Sequence, residues 1–277
     1  MFERLVTHGL VLIGLCGLCE TSAEGARKQR MVACVLDAPG SSRVAGPYLD
    51  NLLGAIESVM GWGEGTLKGL YTPRRKKCLR ELKKKSTTLA VLSIETFIGL
   101  RKRLRLRPIA ITEMNGAMAT KYHVVVKKGA FASLGALKGA TFMTSHGADA
   151  KFLAKVVLAG ALGPTVTVRR TTQPLRALRT VHQGEVGATL LDDGELEKMK
   201  ALPFAEELTV LHTSASLPNP VVAAVGRGGG DALSGLGEKL MTLCQGAHKA
   251  TCDGMRFSGF GVLDSASLDA LSDAYTK

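Results

Sequence analysis

The sequence predicts an α/β fold, and three observations carry that expectation. Short apolar runs bounded by Gly, Pro, Asp or Ser recur along the 277-residue chain, and such runs read as buried strands. Between them lie segments whose apolar residues return every three or four positions, as they do on one face of a helix. The two kinds of segment alternate, which is the pattern of strands joined through helices and predicts largely parallel sheets.

Taken in order, Met31-Val-Ala-Cys-Val-Leu36 is the first strand and runs into the turn-forming Asp37-Ala-Pro-Gly-Ser-Ser42. Tyr48, Leu52, Leu53, Ile56, Val59 and Met60 fall on one face of a helix over 48–60. Residues 66–71 read as a second strand. Pro73 then opens a basic helix with Cys78, Leu79 and Leu82 on one face, since its fixed φ and missing N–H suit a first helical turn. Residues 89–93 are a third buried strand followed by a helix over 95–103, and 109–112 and 122–126 are further strands. Next comes Leu134-Gly-Ala-Leu137-Lys138-Gly139, an apolar Ala140-Thr-Phe-Met143, and Thr144-Ser145-His146-Gly147 opening a helix. A strand ending in a polar turn at a helix N-terminus presents free N–H groups and so offers an anion site. Then His182-Gln-Gly184-Glu-Val186-Gly187 turns into a buried strand ending at Asp192-Asp193. Strands over 208–212 and 221–225 flank Ser214-Ala-Ser-Leu-Pro218-Asn219-Pro220, Gly226 to Gly230 is a turn, and helices finish the chain. No internal repeat is visible.

Residues 10–19 form an apolar run too short to span a bilayer. Small residues stand at the minus-three and minus-one positions if cleavage follows Ala23. Residues 1–26 therefore read as a secretory signal peptide, with export to the periplasm. Cys16 and Cys19 raise a lipid anchor, but each follows Leu rather than a small residue, so an unanchored product is expected. Of the later cysteines, Cys244 and Cys252 stand eight apart across a polar loop and are expected to pair in an oxidising compartment. Cys34 lies in an apolar strand, where it reads either as core or as the partner of Cys78. No His pair accompanies these cysteines, so neither a zinc site nor a cofactor is expected.

The net charge is +12, and because residues 1–26 hold one Arg against three Glu, the rest of the chain carries +14. The excess is concentrated in Arg74-Arg75-Lys76-Lys77, Lys83-Lys84-Lys85 and Arg101-Lys102-Arg103 with Arg105 and Arg107. Such clusters can engage polyanions; the simpler expectation is a solvated helix face. Aromatics are scarce near them and no nucleic-acid module is recognisable, so nucleic acid is not the expected partner. No Gly-x-Ser-x-Gly elbow, phosphate-binding Gly-Lys-Ser/Thr loop or His-Glu-x-x-His pattern occurs. Gly226-Arg-Gly-Gly-Gly230 lacks the context of a dinucleotide loop. An enzyme is not expected.

The stretch from 134 to 193 resembles the second lobe of the periplasmic phosphate/phosphonate-type solute-binding proteins of ABC importers. There a Leu-rich "sLkdLkGkrfaf" segment, a Ser-rich helix start and "vlnGqvDaaavds" follow in the same order. The likeness extends through Leu217-Pro-Asn-Pro-Val-Val and Phe257-Ser-Gly-Phe-Gly-Val-Leu. The resemblance implies a type II fold of two α/β lobes joined by two crossover hinge strands, with ligand clamped in the cleft by hinge closure. It places lobe 1 in 27–118 and 222–277, and lobe 2 with the hinge strands in 119–221. It further implies a small anionic solute, an inner-membrane ABC permease as partner, and a monomer.

The family's ligand signature is only partly present. Aligned without a gap, its Ser-Thr-Ser anion grip falls on Asp149-Ala150-Lys151; with a short deletion, Thr144 and Ser145 take the hydroxyl role. Its tyrosines fall on Phe97 and Thr120, with Tyr122 close by. The expected ligand set is then Ser93 and Thr96 from the first lobe, and Thr120, Tyr122, Thr144, Ser145, His146 and Lys151 from the second. Asp192 is added for a ligand amine, although with Asp193 it can instead cap the following helix.

Overall fold

The computed structural model describes residues 28–34, 42–146, 149–163, 166–226 and 233–277. The first half runs β1 (Gln29–Cys34), α1 (Ser42–Met60), β2 (Leu67–Tyr71), α2 (Arg75–Leu82), β3 (Thr87–Leu92), α3 (Ile94–Leu104), β4 (Arg107–Glu113) and β5 (Ala119–Thr120). It continues through β6 (Tyr122–Lys127), β7 (Thr141–Thr144), α4 (Ala150–Phe152), β8 (Thr167–Arg170), α5 (Pro174–His182), β9 (Thr189–Asp192) and α6 (Asp193–Met199). The remainder is β10 (Leu208–Thr213), β11 (Leu217–Pro218), β12 (Val221–Ala224), α7 (Leu236–Leu243), α8 (Lys249–Gly254), β13 (Gly259–Gly261) and α9 (Ser265–Thr276).

Six strands build the first sheet, in the order β13-β4-β12-β3-β1-β2. Its central strands β1 and β3 are buried almost throughout, because helices cover both faces and successive side chains point to opposite sides. Val32, Cys34, Ala90 and Leu92 thus share one core with Cys78 and Leu82 of α2 and Phe97 and Leu100 of α3. Met31, Ala33, Leu89 and Val91 share another with α1 and α7. A disulfide from Cys34 to Cys78 ties β1 to α2, and a second joins Cys244 to Cys252, as their spacing predicts.

The second sheet holds β10-β6-β9. A parallel bridge from Phe142 to Ala188 brings the β7–β8 pair alongside it. Two glycines make that junction. Gly184 turns the chain at a φ of +77°, and a Cβ on Gly187 would come within 2.7 Å of the Ala140 Cβ.

The expectation of largely parallel sheets is corrected. Among the described residues only the β1–β2, β1–β3 and β7–β8 ladders are parallel, while β12 runs against both β3 and β4, and β6 against both β9 and β10. The reason is the double crossing of the chain: β12 re-enters the first sheet from the far side, which reverses its direction. The crossing strands themselves, β5 and β11, pair antiparallel, Thr120 opposite Leu217 and Ala119 opposite Pro218. Side chains lash this hinge on both flanks. Asn219 Nδ2 donates to the Ala117 carbonyl at 2.7 Å, and Tyr122 N–H donates to Ser214 Oγ at 2.9 Å.

Other expectations shift in detail. The first helix begins at Ser42 rather than Tyr48. Residues 145–146 form a bend, and the helix that was expected to open there starts at Ala150 with Asp149 as its N-cap. The leader with Cys16 and Cys19, the turn at 37–41 and the Gly-rich segment at 227–230 lie outside the described residues. Among the described residues no helix is long and apolar enough to cross a membrane.

Candidate functional site

The carboxyl ends of the first sheet's parallel strands face the hinge, the position where ligands bind on such sheets. There β3 ends at Leu92 and Ser93 leads into α3. Ser93 Oγ and Thr96 Oγ1 lie 3.0 Å apart, and Glu95 between them in sequence is buried. Phe97, the expected tyrosine position, is fully buried core.

From the other lobe come Tyr122, His146, Asp192 and Glu195. The Tyr122 and His146 rings tilt against one another with centroids 5.3 Å apart. His146 Nε2 is 2.7 Å from Glu195 Oε2 and 3.8 Å from Asp192 Oδ2. Both acids are fixed by local structure: Asp192 Oδ1 accepts from Glu195 N at 2.7 Å, while Glu195 Oε2 accepts from Asp192 N at 3.3 Å. This reciprocal capping box starts α6. Asp192 is therefore a helix cap whose second oxygen still faces His146.

The electrostatics of this corner are acidic. Burial opposes the charged imidazole of His146, but the hydrogen bond and charge of Glu195, with Asp192 and Glu95 farther out, outweigh it and raise the pKa. Burial and the same three carboxylates push the Tyr122 phenol well above its ordinary value. His146, Asp192 and Glu195 bring one donor atom each within 4.8 Å of one another. Their N and O atoms fit a divalent cation by type, although the capping box already employs both acids.

Several predicted ligand residues have other work. Thr144 Oγ1 donates to the Leu190 carbonyl at 3.2 Å and accepts from His146 N at 2.9 Å, joining β7 to β9. Thr120 Oγ1 donates to Asp193 Oδ2 at 3.0 Å, and Lys121 N donates to the same oxygen at 2.8 Å, while His123 Nε2 meets Asp193 Oδ1 at 2.8 Å. Thr120 is thus a hinge tie. Ser145 differs from both: its Oγ is buried and has no hydrogen-bond partner among the described residues.

The largest departure concerns the helix N-terminus that the resemblance assigns to an anion. Asp149 Oδ1 accepts the amides of Lys151 and Phe152 at 3.0 and 3.3 Å, so a carboxylate of the chain itself already occupies that position. Its Oδ2 accepts from Arg75 Nη2 at 3.2 Å and from the Tyr275 hydroxyl at 3.1 Å. Burial raises this carboxyl's pKa, but Arg75, the Phe152 amide and Tyr275 more than offset it and hold it below its usual value. Lys151, expected to neutralise a ligand, instead places its ammonium 4.9 Å from the centre of the Tyr275 ring. The Arg75–Asp149–Tyr275 clasp thereby joins α2 and α9 to the start of α4.

Glu195, Glu95 and this clasp escaped the sequence reading. The chain reads Asp192-Asp193-Gly194-Glu195, and that Asp-x-x-Glu spacing is a capping-box signature that points to Glu195. No local signal marks Tyr275 as a partner of Asp149.

No protein-family model matches the sequence, and neither does any curated protein. Solved structures do resemble it. XAC2383 from Xanthomonas citri, bound to ATP, superposes with a TM-score of 0.73 at 16% identity over 90% of this chain and 96% of that one. The binding-protein component of an ABC phosphonate transporter from Pseudomonas aeruginosa gives 0.63 at 14%, covering 90% and 85%. The periplasmic aliphatic sulphonate binding protein SsuA from Escherichia coli gives 0.57 at 12%, covering 90% and 92%. The latter two are binding proteins by name. Identities this low speak for architecture alone, and together with the paired crossing strands they establish that this chain has the two-lobed α/β fold of periplasmic solute-binding proteins.

Proposed function

We propose that this chain is an exported, monomeric solute-binding protein that captures a small solute between its lobes and delivers it to an inner-membrane ABC permease. The observation that carries this reading is the hinge of paired crossing strands beside a corner where polar groups of both lobes converge: Ser93, Thr96 and Glu95 on one side, Tyr122, Ser145, His146, Asp192 and Glu195 on the other. The lobe boundaries belong to the same proposal: 118/119 is supported by which strands share a sheet, while Val221 already pairs with Leu92 and Ile111 in the first sheet and moves the second boundary to 220/221.

The solute we infer carries an anionic group, phosphate- or phosphonate-like, met by the Ser93–Thr96 hydroxyls and by the orphaned Ser145 Oγ. A cationic group on the same solute meets Asp192 and Glu195, because three carboxylates around one imidazole disfavour a purely anionic guest. Contacts to both lobes favour the closed arrangement and so couple binding to hinge closure.

A panel of phosphonates, aminophosphonates, sulfonates and amino acids tests this by melting temperature. A ligand at 100 times its Kd adds about 2.7 kcal/mol, or about 5–10 °C for a chain of this size. A selective rise for a solute bearing both charges supports the reading. A flat response across the panel from folded protein favours the second reading, a sensor or scaffold of the same fold without a solute, to which the self-capped Asp149 also points.

A further inference from the structure

We infer that the pole of the first lobe opposite the cleft is a docking surface for an anionic lipid bilayer. The argument begins with topology. The strands β1, β2 and β3 run parallel, and β4 runs with them because β12 opposes both β3 and β4. Helices α2 and α3 return between these strands, so both end at the same edge of the sheet, away from Ser93 and the hinge. That edge collects Lys83 and Lys85 after α2, and Lys102, Arg103, Arg105 and Arg107 at the end of α3; all six are exposed, and none is ion-paired among the described residues. The nearby acids are partly neutralised. Glu81 is buried against Arg30 and Lys84, and Asp269 is held by Arg101 at 2.6 Å, which leaves the exposed Glu64 before β2, Glu238 in the first turn of α7 and Asp264 at the cap of α9 against the six cations.

The chain itself supplies the reason to choose a bilayer. It enters the described fold at Lys28, just before β1, and therefore at this same pole. The 27 residues ahead of it include the apolar run at 10–19. A chain held at a membrane by that run, even only during export, presents its basic pole to the lipid headgroups. Exposed Lys and Arg on such a pole are attracted to anionic headgroups within a Debye length, about 8 Å at physiological salt. Among the described residues the aromatic ring at this pole is Trp62 after α1, and it packs against the core rather than forming an exposed platform for bases.

The test is co-sedimentation of the full chain with vesicles of phosphatidylglycerol and phosphatidylcholine, with pure phosphatidylcholine as the reference. The expected result is selective partition onto the anionic vesicles that weakens steeply with added salt. Combining K83Q, K85Q, K102Q and R103Q is expected to lower that partition at least about tenfold with an unchanged melting temperature. Equal partition onto neutral vesicles would assign the binding to the apolar leader and overturn the proposal, as would an unchanged partition of the quadruple variant. Displacement from the vesicles by an equal charge of duplex DNA or polyphosphate would also overturn it, by making a soluble polyanion the better partner.

Discussion

His146 and Asp149 show how single residues set the character of the cleft. His146 is half-buried against Glu195, and its imidazolium is favoured by that partner, so its folded pKa lies above the ordinary 6.5. A raised histidine pKa stabilises the fold fully below the unfolded value, and the contribution is lost as pH rises through the folded value. Proton NMR titration is therefore expected to place the His146 transition above 6.5, and Glu195→Gln to bring it down; a transition at or below 6.5 in the parent chain contradicts the assignment. Asp149 has the opposite sign. Its lowered pKa adds stability above the ordinary carboxyl range that disappears as pH falls through the folded value. Asp149→Ala removes a helix cap and leaves Arg75 and Tyr275 without their shared acceptor, for an expected loss of about 2 kcal/mol at neutral pH. Chemical denaturation at neutral and acidic pH measures it, and the difference from the parent should shrink in acid. Of these two residues, His146 could be picked out as a candidate because a polar turn follows an apolar strand. The role of Asp149 was not, because its partners Arg75 and Tyr275 lie 74 and 126 positions away.

Among elements, the hinge and the disulfides make separable contributions. Asp193 sits at the start of α6 yet gathers Thr120 of the crossing strand, Lys121 after it and His123 of β6. Asp193→Ala is expected to cost about 1 kcal/mol and, more tellingly, to speed hydrogen exchange at Lys121 and Tyr122 while leaving β3 protected. The two disulfides close chain segments of very different length, 44 and 8 residues apart. On the loop-entropy account, losing Cys34–Cys78 costs about 4 kcal/mol and losing Cys244–Cys252 about 2.5 kcal/mol. Paired Cys→Ala variants compared by urea unfolding check the order, and a reversal would mean that the unfolded chain is already compact between residues 34 and 78. The short pair could be read from spacing. Cys34 could not be distinguished from core, since a half-cystine and a free thiol are both at home in a buried strand.

At the scale of the whole molecule, the lobes are coupled among the described residues by the paired strands β5 and β11, by the Arg75–Asp149–Tyr275 clasp, and by a shared apolar cluster in which Phe152, Leu153 and Val157 join Phe97 and Leu268. A solute gripped from both sides is expected to reduce the radius of gyration measured by small-angle scattering. Arg75→Ala is expected to enlarge the radius of the ligand-free protein by releasing the clasp, and an unchanged radius would mean that the hinge strands and the shared apolar cluster set the angle between lobes without it. Charge is distributed at the same scale, with carboxylates gathered around His146 and unpaired basic residues at the far pole of the first lobe.

The sequence by itself determined the class of fold and the order of its strands and helices. It also determined the pairing of Cys244 with Cys252. These follow from periodicity, turn chemistry and spacing, all of which act over a few residues. Only the tertiary structure decided that the sheets are mixed, that Thr144 and Thr120 serve the scaffold, and that Asp149 fills its own anion site. It also turned the corner around His146 acidic. Those outcomes depend on which distant carboxylates, hydroxyls and cations the chain crossings bring within hydrogen-bonding distance, and no local pattern encodes such meetings.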